Sequence, residues 1–339
     1  MSPQRVLNLV IIGVTGRMGR AIVRAASELP DKLAITGAVA STTSESLGRD
    51  AGELAGIGRI EVPVTDDLAV ALARANVVVD FSQPHATHSN VAVCRAARKP
   101  MLIGTTGFSS DLTAVFDAAS GEIPLLVAPN TSIGVTLLTE LTRIAAQALP
   151  PDFDIEIVEA HHRMKKDAPS GTALALGKAA AYGRGMPDSM VMQAAGLAAG
   201  AALGRRGTTP TEWHAAAGGR SAAGERAAAE GRAAAEEHAA SGGCTPAERG
   251  PAAAGRDQLP NRSGERRQGD LGFAVIRGGD IVGDHTVLFA GTGEQVSLAH
   301  RATDRAVFAR GAVRAALWLA SQSPGRYFMR DFMGLKTGA

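Results

Sequence analysis

Two histidines and two lysines, His161, His162, Lys165 and Lys166, fall inside one short stretch, Glu159 to Ala173, which reads EAHHRMKKDAPSGTA. Histidine and lysine are the side chains best suited to hand a proton to a centre where negative charge is developing. Their cationic forms also hold carboxylates. Just downstream, Pro169 fixes a turn and Ser170-Gly171-Thr172 precede an apolar helical run from Ala173 to Ala181. Ser170 or Thr172 can cap that helix. The free N–H groups of its first turn form a site for an anion such as a carboxylate. Proton donors, cations and an anion-binding helix start are the set needed to reduce a conjugated imine or alkene that carries carboxylates. Local sequence alone is equally compatible with a solvated basic turn.

These groups need elements to hold them. Phe153 to Glu159 (FDIEIVE) alternates apolar and polar residues, which suits an antiparallel strand wet on one face. Gly272 to Arg277, Gly283 to Ala290 and Glu294 to Ala302 read as further strands of that type, and Val135 to Leu149 as an amphipathic helix. Ala306 to Ser321 reads as a closing helix. An open-sheet domain around the basic stretch is expected.

The first part of the chain has another character. Arg5 to Ile12 is a buried strand, Gly13 to Gly19 (GVTGRMG) a glycine loop, Arg20 to Glu28 a helix and Leu33 to Ser41 a second strand. That order opens a doubly wound nucleotide fold. Strands at Val77 to Phe81, Met101 to Ile103 and Pro124 to Ala128 follow, with helices at Asp67 to Arg74, His88 to Ala97 and Ser110 to Ala119 between them. Alternation of this kind predicts a parallel sheet. The expected fold is α/β, a Rossmann-like dinucleotide domain plus an α+β domain with an open mixed sheet. In the loop, Gly13 permits the tight turn, Gly16 a close backbone approach to a pyrophosphate, and Gly19 close packing of helix on strand. Val14, Thr15, Arg17 and Met18 complete it. Ser41, at the end of the second strand, and Phe81, at the end of the short strand Val77 to Phe81, are expected to border the same nucleotide. No acid ends the second strand, where Ala40-Ser41-Thr42-Thr43 stands. Hydroxyls there can bond a ribose without repelling a 2′-phosphate, so NADH and NADPH both remain open, and Arg17 can supply charge near the phosphate.

Composition narrows the class. Thirty-five basic and 33 acidic residues leave a net charge of +2, which gives no electrostatic reason for a nucleic-acid partner. Only two cysteines occur, far apart, and no cluster has metal-ligand spacing, so a reduced cytoplasmic protein without a metal is expected. No apolar run is long enough to cross a bilayer. His85 and His88 after the FSQP turn, and His285 and His300 in strand patterns, are expected to be structural, the latter two with satisfied hydrogen bonds. From Ala194 to Ala254 there are 23 Ala and 11 Gly in 61 residues, with almost no large apolar side chain after Leu203. Such a stretch buries too little surface to offset its ordering entropy. A disordered or partly helical insertion over about 183 to 262 is expected, with no catalytic role.

The motifs together resemble those of the dihydrodipicolinate reductase family. The likeness rests on GVTGRMG, DAGELAG at Asp50 to Gly56, VDFSQP at Val79 to Pro84, IGTTGF at Ile103 to Phe108, APNTSIGV at Ala128 to Val135 and EAHHRMKKDAPSGTA. After the alanine-rich stretch it continues with GDLGFAVIRGGDIVGDHTVLFA, HRATDRAVFARGAVRAALWLA and MRDFMGL. The resemblance implies that His161 donates or accepts a proton, Lys165 donates one, and His162 binds substrate. It implies that the backbone of Gly171 and Thr172 holds a substrate carboxylate. It assigns cofactor contacts to Gly13 to Met18, to Gly104, Thr105 and Thr106, and to Ala128, Pro129, Asn130 and Thr131. It further implies a dinucleotide domain from 1–133 with 304–339, a substrate and oligomerisation domain from 134–303, and a homotetramer. The substrate would be a small cyclic dicarboxylate reduced in the diaminopimelate route to lysine. Against this stands the insertion, which leaves open a chain that binds cofactor but is catalytically impaired.

Overall fold

The computed structural model describes residues 6–108, 112–196 and 268–335. Seven strands form a parallel sheet in the order β11-β6-β5-β4-β1-β2-β3. They are β1 (Leu7–Ile12), β2 (Leu33–Val39), β3 (Val64–Thr65), β4 (Val77–Asp80), β5 (Met101–Ile103), β6 (Pro124–Val127) and β11 (Gly325–Tyr327). The central strands are apolar on both faces because both faces are covered. Side chains alternate across a strand. Leu9 and Ile11 of β1 therefore point to one face and Val10 and Ile12 to the other. The first face packs on α1 (Arg17–Ser27) through Ile22 and Val23, and on α9 (Ala306–Leu319) through Ala312, Val313 and Leu319. The second packs on α3 (Leu68–Leu72), α4 (Pro84–Ala96) and α5 (Leu112–Ser120), with Phe116 and Cys94 fully enclosed. α2 (Ala51–Ala55) and α10 (Met329–Phe332) lie with the first group, through Ala51 and Met329. The chain's last segment thus completes the first sheet, both as a helix on its face and as an edge strand. The closing helix is legible in the sequence, but the edge strand β11 is too short to show there.

A second sheet has the order β10-β9-β7-β8, from β7 (Asp154–His161), β8 (Leu271–Arg277), β9 (Gly283–Gly291) and β10 (Glu294–Ala302). β9 is antiparallel to both β7 and β10. β8 departs from the expected pattern, because it pairs with β7 in parallel. A parallel partner needs a long crossover connection, and α7 (Gly171–Arg184) and α8 (Asp188–Ala194) lie in the chain between these two strands. One face of the sheet is covered by α6 (Ile133–Ala148), α7 and α8, which enclose Leu138, Leu174, Leu176 and Val191 with Ile155, Ile157, Phe273 and Phe289.

The first part of the stretch expected to be an insertion, from 183, instead includes the end of α7 and all of α8. α7 runs to Arg184, where Gly185 in a left-handed conformation (φ 69°) ends it, and α8 follows. Val191 is fully buried and Lys178 pairs with Asp188 at 3.1 Å, so 183–196 belong to the packed domain. The alanine-rich remainder of that stretch lies outside the described residues. Among the described residues, no helix is long and apolar enough to cross a membrane.

Candidate active site

The nucleotide end is built from consecutive strand ends. β1 runs into Gly13, whose φ of 79° suits glycine. A Cβ there would lie 2.6 Å from the Phe81 carbonyl oxygen, and one on Gly19 would lie 2.3 Å from the Gly13 carbonyl oxygen. Strand β4 and helix α1 therefore close on the loop from both sides. α1 starts at Gly16 with no side-chain cap, leaving its first N–H groups free for phosphate oxygens. The strand order places β1 next to β4, the switch point at which such sheets bind nucleotides.

Neighbouring strand ends support this edge. Asp80 is fully buried and accepts from the Ser82 N–H at 2.8 Å and from Asn90 Nδ2 at 3.0 Å. Burial, the largest influence, raises its carboxyl above the usual range despite these bonds. Gly104 N–H donates to the Asp80 carbonyl at 2.9 Å, and the missing Cβ of Gly104 makes room for the Phe81 ring. Thr105 Oγ1 lies 3.3 Å from the Ser82 carbonyl oxygen, and Ala128 N–H donates to the Ile103 carbonyl at 2.9 Å. Gly13, Phe81, Gly104, Thr105 and Ala128 are thus brought together. Ser41 is exposed, with its hydroxyl 3.3 Å from that of Thr43. Thr131 turns away from the edge: it is buried, and its hydroxyl donates to the Phe308 carbonyl at 2.7 Å, anchoring α9. This glycine cradle, with free helix N–H groups at its mouth, fits a dinucleotide.

The chemical end hangs on the period of β7. Glu159 and His161 are in phase with Ile155 and Ile157, so they face the covered side of the sheet and are buried. A buried carboxylate must be paired, and Glu159 is paired by everything around it. His161 Nδ1 hydrogen-bonds its Oε2. Arg277 on β8 donates to both oxygens, at 2.9 Å and 2.8 Å, and the Ser170 N–H donates at 3.0 Å. Burial alone would raise the Glu159 carboxyl, but the bonds from His161 and Arg277, the charge on His161 and the Ser170 N–H outweigh it and bring it down to about 2. The register explains the gathering. On β7, His161 stands opposite Arg277 of β8, and Glu159 opposite His285 of β9. The His285 ring lies 5.1 Å from that of His161, and its Nε2 is 3.2 Å from Ser170 Oγ. Burial, reinforced by the charge on His161, pushes His285 down to about 4, so it is neutral near pH 7.

The loop after β7 presents the remaining groups. Lys165 Nζ pairs with Asp167 at 2.8 Å. His162 is lowered, by burial first and then by the charges of Arg305, His161, Lys165 and Arg277. Ser170 is the N-cap of α7, its hydroxyl accepting from Ala173 N–H at 3.1 Å. With its N–H on Glu159, Ser170 is engaged inside the protein rather than presented to a ligand. Gly171 is exposed and a Cβ there would meet nothing within 4 Å, so the first free N–H groups of α7 open outward there and at Thr172. Asn130 Nδ2 donates to Thr172 Oγ1 at 3.1 Å, tying the loop after β6 to this helix start. Arg17 and Met18 share with His161, His162, Lys165 and Arg305 a cleft of about 880 Å³.

Three of these residues have no site role in the sequence reading, which gives His285 a structural one. Glu159 carried a readable signal, an acid in phase with an apolar stripe. Arg277 and His285 carried none, because strand register is not written in either strand alone. The expectation of satisfied hydrogen bonds at His285 and His300 is corrected: among the described residues, Nδ1 of each has no partner. Glu159, His161 and His285 also converge closely enough to hold a metal, contrary to what linear spacing suggests. Their chemistry argues against one, since both Glu159 oxygens already accept from Arg277, whose guanidinium repels a cation.

A glycine cradle at the switch point of a parallel sheet, with Arg17 and Met18 of its loop sharing a cleft with His161, His162 and Lys165, defines a pyridine-nucleotide-dependent oxidoreductase. Residues 7–131 match the family model described as dihydrodipicolinate reductase, N-terminus, and residues 134–333 match that for its C-terminus. The chain belongs to the dihydrodipicolinate reductase family. It is 42% identical over 329 residues to a 4-hydroxy-tetrahydrodipicolinate reductase of Alkalilimnicola ehrlichii, covering 96% of this chain and 98% of that one. It is 40% identical over 338 residues to 4-hydroxy-tetrahydrodipicolinate reductase 1 of Mesorhizobium japonicum, covering 99% and 100%. The fold is similar to that of a dipicolinate-bound dihydrodipicolinate reductase from a Paenisporosarcina species, with a TM-score of 0.61 at 20% identity, covering 96% of this chain and 98% of that one.

Proposed function

We propose that this protein reduces 4-hydroxy-tetrahydrodipicolinate to tetrahydrodipicolinate, with NADH or NADPH, in the diaminopimelate route to lysine in the cytoplasm. The observation that carries the reading is the shared cleft, onto which open Arg17 and Met18 of the nucleotide loop together with His161 and Lys165. Loss of the 4-hydroxyl as water gives the conjugated ring, to which a bound nicotinamide would supply a hydride. Everything else falls to the chain. Gly13 to Met18 hold the pyrophosphate, with Phe81, Gly104, Thr105, Thr106 and the Ala128 to Asn130 loop alongside. Gly171 and Thr172 hold one carboxylate on their N–H groups, and His162 binds the substrate. His161 and Lys165 are the two proton sources for the carbon next to the one reduced.

Two finer points belong to the same reading. Ser41 and Thr43 offer hydroxyls and no carboxylate at the end of β2, which favours acceptance of both nucleotides. The outward face of the second sheet carries Val158, Ala160 and Leu288, all half-buried, and Ile276, which is 51% exposed. This face is suited to a second copy of the chain and, by closed symmetry, to a tetramer.

The test is a coupled assay. Pyruvate and aspartate semialdehyde pass through the preceding synthase, and loss of reduced-nicotinamide absorbance is followed with each nucleotide. Oxidation dependent on this protein supports the reading. Nucleotide binding without turnover overturns it in favour of a catalytically impaired family member. Sedimentation in the same buffer reads the oligomer.

A further inference from the structure

We propose that Glu159 and Arg277 are a positioning pair that sets both the orientation and the protonation of His161 and locks the proton donor to the carboxylate-binding loop. Five hydrogen bonds carry this. One Glu159 oxygen holds His161 Nδ1, and the other holds the Ser170 N–H at 3.0 Å, immediately before the first free N–H of α7. Arg277 straddles the carboxylate and also donates to the Asp167 carbonyl at 2.7 Å. One buried carboxylate therefore ties the proton donor to the anion site, and one guanidinium ties that carboxylate to the turn carrying Lys165. The bond to Nδ1 aims Nε2 the other way, towards Gly283, where a Cβ would come within 3.1 Å of it. With Nδ1 held by Glu159, Nε2 is the ring nitrogen left to exchange a proton, and His161 lines the cleft it shares with Arg17.

The two partners act on His161 with opposite sign. The Glu159 carboxylate stabilises the imidazolium. Arg277 both offsets that carboxylate and repels the imidazolium directly. The other groups around His161 are neutral His285 from β9, His162 and Lys165 from the following loop, and Arg305 and Arg17 across the cleft. Neither substitution removes any of these groups. Glu159→Gln should therefore lower the His161 titration midpoint and Arg277→Gln should raise it, each by about one pH unit. A purely structural role would not produce opposite signs.

The experiment is a histidine NMR titration of the full chain, with His161 assigned by its loss in His161→Asn, combined with turnover as a function of pH. The NMR arm reads out whether or not the proposed substrate is reduced. The kinetic arm rests on the reductase reading, so the two failures are distinguishable. Expected are opposite midpoint shifts, and a drop of about 100-fold in turnover for Glu159→Gln with nucleotide affinity unchanged. The pH limb on which activity falls with rising pH should move in the same direction as each midpoint. Glu159→Asp keeps the charge and serves if the amide variant does not fold; it should hold the His161 midpoint above that of Arg277-intact, charge-free protein, read in Glu159→Ala if necessary. Midpoints that stay put, or that move together, overturn the proposal.

Discussion

Asn130 and Thr172 meet across the join between the nucleotide sheet and the second domain, with Asn130 Nδ2 donating to Thr172 Oγ1 at 3.1 Å. The same asparagine accepts the Ser132 N–H at 2.9 Å through its other amide atom. It thereby fixes the loop after β6, α6 and the start of α7 at once. Asn130→Ala should raise the substrate KM about 10-fold, the scale of one hydrogen bond lost from a positioned group. Nucleotide affinity should change less. Steady-state kinetics against a nucleotide titration separates the two.

Lys165 stands beside Asp167, with its ammonium on the cleft shared with His161. Lys165→Ala should lower kcat by about 100-fold or more, as loss of a general acid does, with little effect on nucleotide binding. Single-turnover measurements would check this, and unchanged turnover would remove Lys165 from the chemistry.

Acid stability should fall in two stages. His285 is lowered from 6.5 to about 4, so its contribution is complete above pH 6.5 and disappears as pH falls to about 4. Glu159 is lowered from 4.5 to about 2, so its contribution is complete above pH 4.5 and disappears towards pH 2. Denaturant unfolding across this range should show stability declining with acid throughout. In His285→Asn the decline between pH 6.5 and 4 should flatten.

Gly19 packs against the turn it helps to make, since a Cβ would lie 2.3 Å from the Gly13 carbonyl oxygen and 2.5 Å from Val14 Cα. Backbone cannot step aside as a side chain can. Gly19→Ala should cost about 1–3 kcal/mol and weaken nucleotide binding, seen as a lower Tm and a smaller rise in Tm on adding nucleotide.

Much of this molecule is written locally. The glycine loop between β1 and α1, the strand-helix alternation up to β6, and the stretch from His161 to Thr172 are readable because their signals repeat within a few residues: period two, period 3.6, and turn residues at fixed offsets. The helix of which Ser170 is the cap was likewise legible. The alanine-rich composition hid α8, whose burial depends on Val191 meeting distant strands. What only the tertiary structure decided is register and partnership. β8 lies parallel to β7, so Arg277 reaches Glu159 across 118 positions of sequence. β9 brings His285 to the same carboxylate, and Ser170 and Thr131 turn inward to serve the frame. A sequence specifies which side chains face a core, because that is a property of one strand. Which charges then meet depends on how two strands slide against each other, and that is settled only when the whole sheet closes over its helices.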